Sequence, residues 1–224
     1  MIKLEIGNPK EKNKELIDII KNVRINQFYL NNEKDFRDLI LSNLQKSDST
    51  LDIGKGMREK FSMISCENIE TLDVNEYEDY PDIMCDLCGE IDDNLRNRYD
   101  KIICLAVLEH VYNPFKAIDN INKLLKDGGK IYGMVPYLYH YHAPEDLKFQ
   151  DYFRFSKDAL SYLFKDFKEV ELYPIRGKLS TSLNILMEGK WKKYLEKTKI
   201  NIFFNKFFNK NLNQCSGYNF ILKK

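Results

Sequence analysis

The spacing of apolar residues changes from a helical period to an alternation of short strands with helical or loop segments. Segments 11–23 and 36–44 place apolar side chains three and four positions apart, which predicts two helices before the first strand. Between residues 50 and 135, short apolar runs that end near glycine or aspartate alternate with helical or loop segments. This alternation predicts a parallel sheet joined by crossover helices.

Proline, glycine and serine mark the ends of two further helices. Pro114 begins a segment with helical spacing, and we expect Gly128-Gly129 to end that helix. Ser156 is the expected N-cap of a helix over 156–166.

The second half of the chain adds a loop and a pair of strands. Segment 137–155 is rich in tyrosine, histidine and proline, which is typical of a loop or lid. The apolar segments 169–173 and 217–222 are predicted to form the last, antiparallel strand pair.

Composition favours a globular protein without a polyanionic partner. The chain has 224 residues, 43% of them hydrophobic and 31% charged, and its net charge is +1. Proteins that bind polyanions usually carry a surplus of basic residues, which this chain lacks. We therefore expect no nucleic-acid partner. No signal peptide or membrane span is visible, so we expect a cytoplasmic location. The five cysteines lack the spacing of a zinc site and are expected to be free thiols.

Segment 190–212 differs from the remainder because it combines seven lysines and six aromatic residues with a single glutamate. A membrane-surface helix and a nucleic-acid patch are two possible functions of such a segment. We favour an amphipathic insertion that packs its aromatic rings on the domain or on a second subunit. A homodimer therefore stays open, and a peripheral membrane contact is not favoured.

The first turn of the predicted sheet has the features of a nucleotide-type cofactor site. The apolar run 50–53 leads into Gly54-Lys-Gly56, and Asp73 follows Gly54 by nineteen residues. Glycines permit a tight strand-to-helix turn on which a ligand can lie close to the backbone. An acid about twenty residues further along can accept both hydroxyls of a ribose. The pattern thus predicts a nucleotide-type cofactor that contains a ribose.

Several motifs together resemble class I S-adenosylmethionine-dependent methyltransferases. The resemblance rests on Leu108-Glu-His-Val111, on Leu124-Leu-Lys-Asp-Gly-Gly129 and on the segment Ile83-Met-Cys-Asp86-Leu87. With His142 and the run Asp151-Tyr-Phe-Arg-Phe-Ser156, the chain is similar to bacterial methyltransferases of surface-glycan biosynthesis. The resemblance implies an α/β fold with a Rossmann-like, doubly wound, seven-stranded sheet. That sheet is mostly parallel with an antiparallel last strand, and N-terminal helices and a C-terminal helical insertion accompany it.

The resemblance also implies which residues hold the cofactor, S-adenosyl-L-methionine. Gly54 and Gly56 would lie against its methionine portion, and the acid that holds the amino group would be Asp52. Asp73 would bind the ribose, and Asp86 with Leu87 would contact the edge and the face of the adenine. Leu105 and Ala106 would form the floor of the site.

Candidates for substrate contact and catalysis lie around the predicted loop. Arg58 replaces the third glycine that such families usually have, and with Arg154 it could bind an anionic substrate; Tyr137 is the third candidate for substrate contact. His110, His140 and His142 are the candidates for a general base, since the chain has only three histidines. Structural roles in packing or salt bridges are the alternative for each. A sulfonium methyl donor needs no metal, and none is expected.

The expected function is methyl transfer, with oxygen favoured as acceptor, to a sugar, nucleotide-linked or phosphorylated intermediate of capsule or surface-polysaccharide biosynthesis. An RNA methyltransferase, an NAD-dependent oxidoreductase and a non-catalytic cofactor-fold partner are the alternatives. The oxidoreductase alternative depends on Tyr112 and Lys116, but Pro114 between them would disrupt the helix that this motif requires. We expect one domain over residues 1–224. Its N-terminal helices span 1–48, and its cofactor-binding core spans 49–175 and includes the substrate loop 137–155. The C-terminal insertion and the last strand span 176–224.

Overall fold

The computed structural model describes residues 9–21, 23–25, 33–54, 68–145, 148–186 and 213–224. Three of the expectations concern residues outside these ranges. They are the cofactor contact of Gly56, the substrate contact of Arg58, and the nature of segment 190–212.

The described strands form one eight-stranded sheet with the order β1-β7-β8-β6-β5-β2-β3-β4. Seven of the strands match the predicted fold, and the two-residue strand β1 extends the sheet at the β7 edge. Strand β8 pairs antiparallel with both β6 and β7, and every other pairing is parallel. The strands are β1 (Arg24–Ile25), β2 (Thr50–Ile53), β3 (Ile69–Asp73), β4 (Ile83–Met84), β5 (Tyr99–Leu105), β6 (Leu125–Pro136), β7 (Glu169–Ile175) and β8 (Gly217–Lys223).

The helices begin where the sequence places their caps. Asn113 accepts a hydrogen bond from the backbone N–H of Lys116 ahead of Pro114, and Ser156 accepts one from Ala159. The described α-helices are α1 (Pro9–Lys21), α2 (Glu33–Asn43), α3 (Pro114–Leu124), α4 (Lys157–Leu163) and α5 (Lys178–Leu186). None of them is long and apolar enough to cross a bilayer.

Helix α3 ends earlier than the glycines predict. Leu125 is already extended, with φ −79° and ψ 135°, and it pairs with Tyr99 at the start of β5. Gly128 and Gly129 therefore lie within β6. The sequence signal was wrong here because sheet pairing, which is a non-local contact, ends the helix before the glycines do.

Both faces of the sheet are covered, as the alternating side chains of β5 show. Ile102 and Cys104 belong to the larger hydrophobic cluster, whereas Ile103 and Leu105 pack into a second cluster with Phe36 of α2. The chain leaves β2 toward β3 on one side and β5 toward β6 on the other, so the direction of winding reverses between β2 and β5. Ligands of such sheets bind beyond the carboxyl ends of the strands at this reversal.

Candidate functional site

A cavity of about 380 Å³ opens beyond the carboxyl ends of β2, β3, β4 and β5. A volume of this size lies within the range of small-molecule sites. The cavity lies at the reversal point of the sheet, and its lining includes five of the residues expected to hold a cofactor: Gly54, Asp73, Asp86, Leu87 and Ala106.

The backbone at the ends of β2 and β5 is shaped for close approach. Gly54 has φ +75°, and Ala106 has φ +55°. A Cβ atom added to Gly54 would lie 2.5 Å from Cγ2 of Val107, which is far inside van der Waals contact. Only a residue without a side chain fits here without displacing its neighbour, and the exposed backbone forms part of the cavity wall.

The carboxylate of Asp73 lies at the end of β3 and is partly engaged by its own loop. Its Oδ1 atom accepts the N–H of Asn75 at 2.9 Å, which orients the carboxylate at the cavity edge. A carboxylate has about four acceptor positions, so one such bond leaves acceptor capacity for ligand hydroxyls.

Asp86 is oriented by two donors. Its Oδ1 accepts the N–H of Cys88 at 2.8 Å, and its Oδ2 accepts the hydroxyl of Tyr112 at 2.9 Å. This hydrogen bond raises the pKa of Tyr112, which keeps the phenol protonated as a donor. From α3, the amide of Asn120 donates to the carbonyls of Leu87 and Gly89, both at 2.8 Å, and so braces the same loop.

Two expected cofactor residues do not line the cavity. Asp52 is fully buried within β2, and Leu105 packs against α2 in the smaller hydrophobic cluster. Ala106, the residue directly after β5, lines the cavity instead, and its positive φ turns the chain at the strand end.

His110 lies at the cavity wall beneath Phe149, whose ring centroid is 4.5 Å away. Its Nδ1 is 2.6 Å from the carbonyl oxygen of Gln150. A carbonyl can only accept, so Nδ1 carries a proton, and it is Nε2 that has the free lone pair in the corresponding neutral tautomer. That Nε2 lies 3.8 Å from Oε1 of Glu109.

His142 approaches the same carboxylate from the substrate loop. Its Nε2 is also 3.8 Å from Oε1 of Glu109, and the two imidazole centroids are 4.9 Å apart. Its Nδ1 faces Oδ2 of Asp151 at 3.2 Å. The carboxylate of Glu109 raises the pKa of His142 despite partial burial, and Asp151 adds to the effect.

Arg154 is used differently from the anion-binding role expected of it. Its five N–H groups donate to the two carboxylate oxygens of Asp151 and to three backbone carbonyls, those of Tyr139, His140 and Phe153. A guanidinium has five donors, so none remains for a substrate anion. The guanidinium holds the pKa of Asp151 at about 2 and ties the two sides of the loop together.

His140 and Tyr137 lie away from this cluster. The imidazole of His140 is exposed and stacks on Tyr139 with centroids 4.1 Å apart. Tyr137 packs near Tyr218 of β8, with ring centroids 6.2 Å apart. Neither His140 nor Tyr137 lines the cavity.

Several site residues were not identified from the sequence. Glu109 and Asp151 each lie in a motif of the family resemblance, but the sequence assigns neither of them a role. Tyr112 and Phe149 also line the cavity. Tyr112 precedes α3, so it does not share a helical face with Lys116 as an oxidoreductase motif requires. The adjacency of Tyr112 to the Leu-Glu-His-Val motif was the one available signal.

Comparison with known families agrees with this geometry. The profile of a family described as a methyltransferase domain matches residues 11–167, which is more than half of the chain. No curated protein sequence matches the chain.

Solved structures share the fold at low sequence identity. Phosphoethanolamine N-methyltransferase 2 of Haemonchus contortus, crystallised with S-adenosyl-L-methionine, is 14% identical with a TM-score of 0.51; the alignment covers 85% of this chain and 52% of that one. The [4+2]-cyclase SpnF is 14% identical with a TM-score of 0.53, covering 94% and 92%. A putative methyltransferase of Haloferax volcanii, in complex with the activator Trm112, is 14% identical with a TM-score of 0.52, covering 84% and 88%.

These similarities show the fold and not the substrate. This chain spans about half the length of the Haemonchus enzyme. Family membership decides against the oxidoreductase alternative, because the matched profile describes a methyltransferase domain. The chain belongs to the methyltransferase-domain family and has its Rossmann-like fold.

Proposed function

We propose that this chain methylates a hydroxyl oxygen of a polar small molecule. One observation carries the proposal: a single cavity is lined by Gly54, Asp73 and Asp86 and also by His110. A site for an adenosyl cofactor and a proton-accepting group are therefore adjacent, as methyl transfer to a hydroxyl requires.

The residues of the cavity fit S-adenosylmethionine. The backbone at Gly54 would contact its methionine portion, where any side chain would collide with Val107. Asp73 would accept the ribose hydroxyls, while Asp86 and Leu87 would contact the edge and face of the adenine. We assign Gly56 to the same turn on resemblance. Asp52 and Leu105 would act from behind the cavity wall, by supporting the strand ends.

The cofactor supplies an electrophilic methyl group on a sulfonium with a neutral leaving group. The protein must then orient the acceptor, and orientation alone contributes several kcal/mol. His110 and His142 are held by their Nδ1 atoms, so both Nε2 atoms face the same space beside Glu109. This cluster is where the acceptor hydroxyl would lose its proton. Asp151 and Arg154 are positioning residues, since they orient His142 and not the acceptor.

The acceptor is proposed to be a sugar or a nucleotide-linked or phosphorylated sugar intermediate. Hydroxyl-rich acceptors suit a site whose described polar groups include carboxylates and imidazoles. Of the two arginines expected to bind an anionic acceptor, we assign this role to Arg58, because the donors of Arg154 are all engaged. A role in capsule or surface-polysaccharide biosynthesis rests on the sequence resemblance.

A cytoplasmic location and a single domain over residues 1–224 complete the proposal. The described cysteines, Cys85, Cys88, Cys104 and Cys215, are free thiols, which fits a reducing compartment.

The test begins with calorimetric titration of the full chain with S-adenosylhomocysteine and with NAD. We expect binding of the former alone. Incubation with S-adenosylmethionine and a panel of sugars, nucleotide sugars, sugar phosphates, phosphoethanolamine and RNA is then followed by mass spectrometry. A mass gain of one CH2 on a sugar hydroxyl supports the proposal. Methylation confined to phosphoethanolamine or RNA, or failure to bind S-adenosylhomocysteine, would overturn it.

A further inference from the structure

The carboxylate of Glu109 is buried without a hydrogen-bond donor among the described residues. Its side chain is 1% exposed, and neither Oε1 nor Oε2 accepts a hydrogen bond. Removing a charged oxygen from water without a partner is costly, so such a group normally indicates a missing counter-charge. Among the described residues, the charge of Glu109 can be balanced by protonation of His142 or by a cation bound beside the two imidazoles.

The two nearest side chains present lone pairs to that carboxylate. Nδ1 of His110 lies 2.6 Å from the carbonyl of Gln150, and Nδ1 of His142 lies 3.2 Å from Asp151 and 3.3 Å from the carbonyl of His140. These oxygens are closer to His142 than the one donor nearby, Arg154 at 3.5 Å. In the neutral form that binds a metal ion, each ring therefore carries its proton at Nδ1 and directs the lone pair of Nε2 toward Glu109.

We propose that Glu109, His110 and His142 bind one divalent ion of the Zn²⁺ or Co²⁺ type. One ligand atom from each lies within 4.8 Å of the others, and each Nε2 is 3.8 Å from Oε1 of Glu109. Tetrahedral ligands on bonds of about 2.1 Å are about 3.4 Å apart. Each imidazole must therefore move a few tenths of an ångström closer to Glu109, and the two imidazole nitrogens, which lie within 4.8 Å of each other, must approach by up to about 1.4 Å. Two imidazoles and one carboxylate form a known ligand set that leaves coordination positions open.

The surroundings of the cluster match those of metal-bound histidines. Such ligands usually donate their second N–H to a carboxylate or a backbone carbonyl, which fixes the ring and raises its basicity. Asp151 and the carbonyl of Gln150 provide these acceptors here. Arg154 neutralises Asp151, which leaves the charge of Glu109 for the ion.

The role of the ion, unlike its binding, rests on the proposed function. His110 lines the cofactor cavity, so an ion on its Nε2 would lie at the edge where the acceptor enters. Its open positions would bind the acceptor hydroxyl and lower the pKa of that hydroxyl. With the ion bound, the two imidazoles would be ligands, and the proton of the acceptor hydroxyl would pass to water instead of to an imidazole.

The test uses untagged full-length protein treated with a chelator and titrated with Co²⁺. We expect one equivalent to bind with visible absorption typical of nitrogen and oxygen ligands and without a thiolate charge-transfer band. His142→Ala and Glu109→Gln should each weaken binding by about 100-fold. His140→Ala is the matched control, since this exposed imidazole is outside the cluster and should leave binding unchanged. Zn²⁺ should displace the Co²⁺.

Circular dichroism of each variant distinguishes the loss of a metal ligand from the loss of folding. Glu109 is buried, so Glu109→Gln can misfold. His142 is only half-buried, so we expect His142→Ala to fold and to remain informative. The proposal is overturned if wild type shows no saturable binding, if a thiolate band appears, or if His140→Ala weakens binding as much as His142→Ala. Titration of the same samples with S-adenosylhomocysteine keeps the two proposals separate. Cofactor binding without Co²⁺ binding refutes the metal site alone, and the reverse result refutes the methyltransferase site alone.

Discussion

Replacing Gly54 by alanine perturbs the cofactor cavity at one defined atom. The new Cβ would lie 2.5 Å from Cγ2 of Val107, and the backbone would keep a φ of +75°. The left-handed backbone costs about 1 kcal/mol for a non-glycine residue. Overpacking against Val107 adds about 1–3 kcal/mol. We therefore expect Gly54→Ala to lower the free energy of unfolding by about 2–4 kcal/mol, measured by urea denaturation.

Gly128 provides a matched control for the backbone contribution. Its φ is +77°, almost that of Gly54, and nothing lies within 4 Å of an added Cβ. Gly128→Ala should therefore cost only about 1 kcal/mol. In the Gly54→Ala background, Val107→Ala removes the colliding methyl groups and should recover the packing part of the loss.

The same variants separate stability from ligand binding. Gly54 and Val107 both line the cavity, so Gly54→Ala should weaken S-adenosylhomocysteine binding at least about tenfold in calorimetry, which is 1.4 kcal/mol. Gly128→Ala should leave that affinity unchanged. Equal destabilisation by Gly54→Ala and Gly128→Ala, together with unchanged cofactor affinity, would refute the close-approach argument.

Three further changes test other parts of the protein. Asp73→Asn removes the carboxylate expected to accept the ribose hydroxyls, so S-adenosylhomocysteine should bind about tenfold more weakly, whereas Asp93→Asn, outside the cavity lining, should not alter its Kd. Arg154→Lys keeps the positive charge but loses the planar guanidinium that holds Asp151 beside His142. We expect kcat to fall about tenfold and the KM for the cofactor to stay unchanged. An unchanged kcat would contradict the positioning role of Arg154. Partial burial alone would raise the pKa of Asp100, but the hydrogen bond from Lys126 lowers it to about 2. Its stabilising contribution, about 1 kcal/mol after solvent screening, is therefore complete above the ordinary carboxyl pKa and is lost as the pH falls toward 2. Urea unfolding at pH 7 and pH 3 should show a smaller difference for Lys126→Met than for wild type.

The cofactor side of the site could be predicted because its residues follow directly from strand ends. Gly54, Asp73 and Asp86 each come just after a short apolar run, and parallel strands bring their carboxyl ends to one edge. Local patterns sufficed for the order of the elements as well. The exception was the end of α3, where pairing of Leu125 with Tyr99 overrides the glycine signal.

The acceptor side could not be predicted in the same way because its contacts join distant segments. His142 and Asp151 lie on the substrate loop, and Glu109 follows β5 more than thirty residues earlier. The sequence identified His110, His140 and His142 equally as candidates for the general base. It could not show that the ring of His140 stacks on Tyr139 and lies outside the cluster around Glu109. Arg154 was a reasonable anion binder until the structure placed five acceptors around it.

The sequence by itself determined the α/β alternation and the row of glycine and acids at the strand ends, because periodicity and turn chemistry are local properties of the chain. The antiparallel last strand is a non-local pairing that the family resemblance implied and the structure confirms. Only the tertiary structure decided which histidines face Glu109, whether Arg154 has donors to spare, and that Glu109 is buried. Those facts depend on how a loop folds back over the sheet, and burial and side-chain direction arise only when residues far apart in the chain meet.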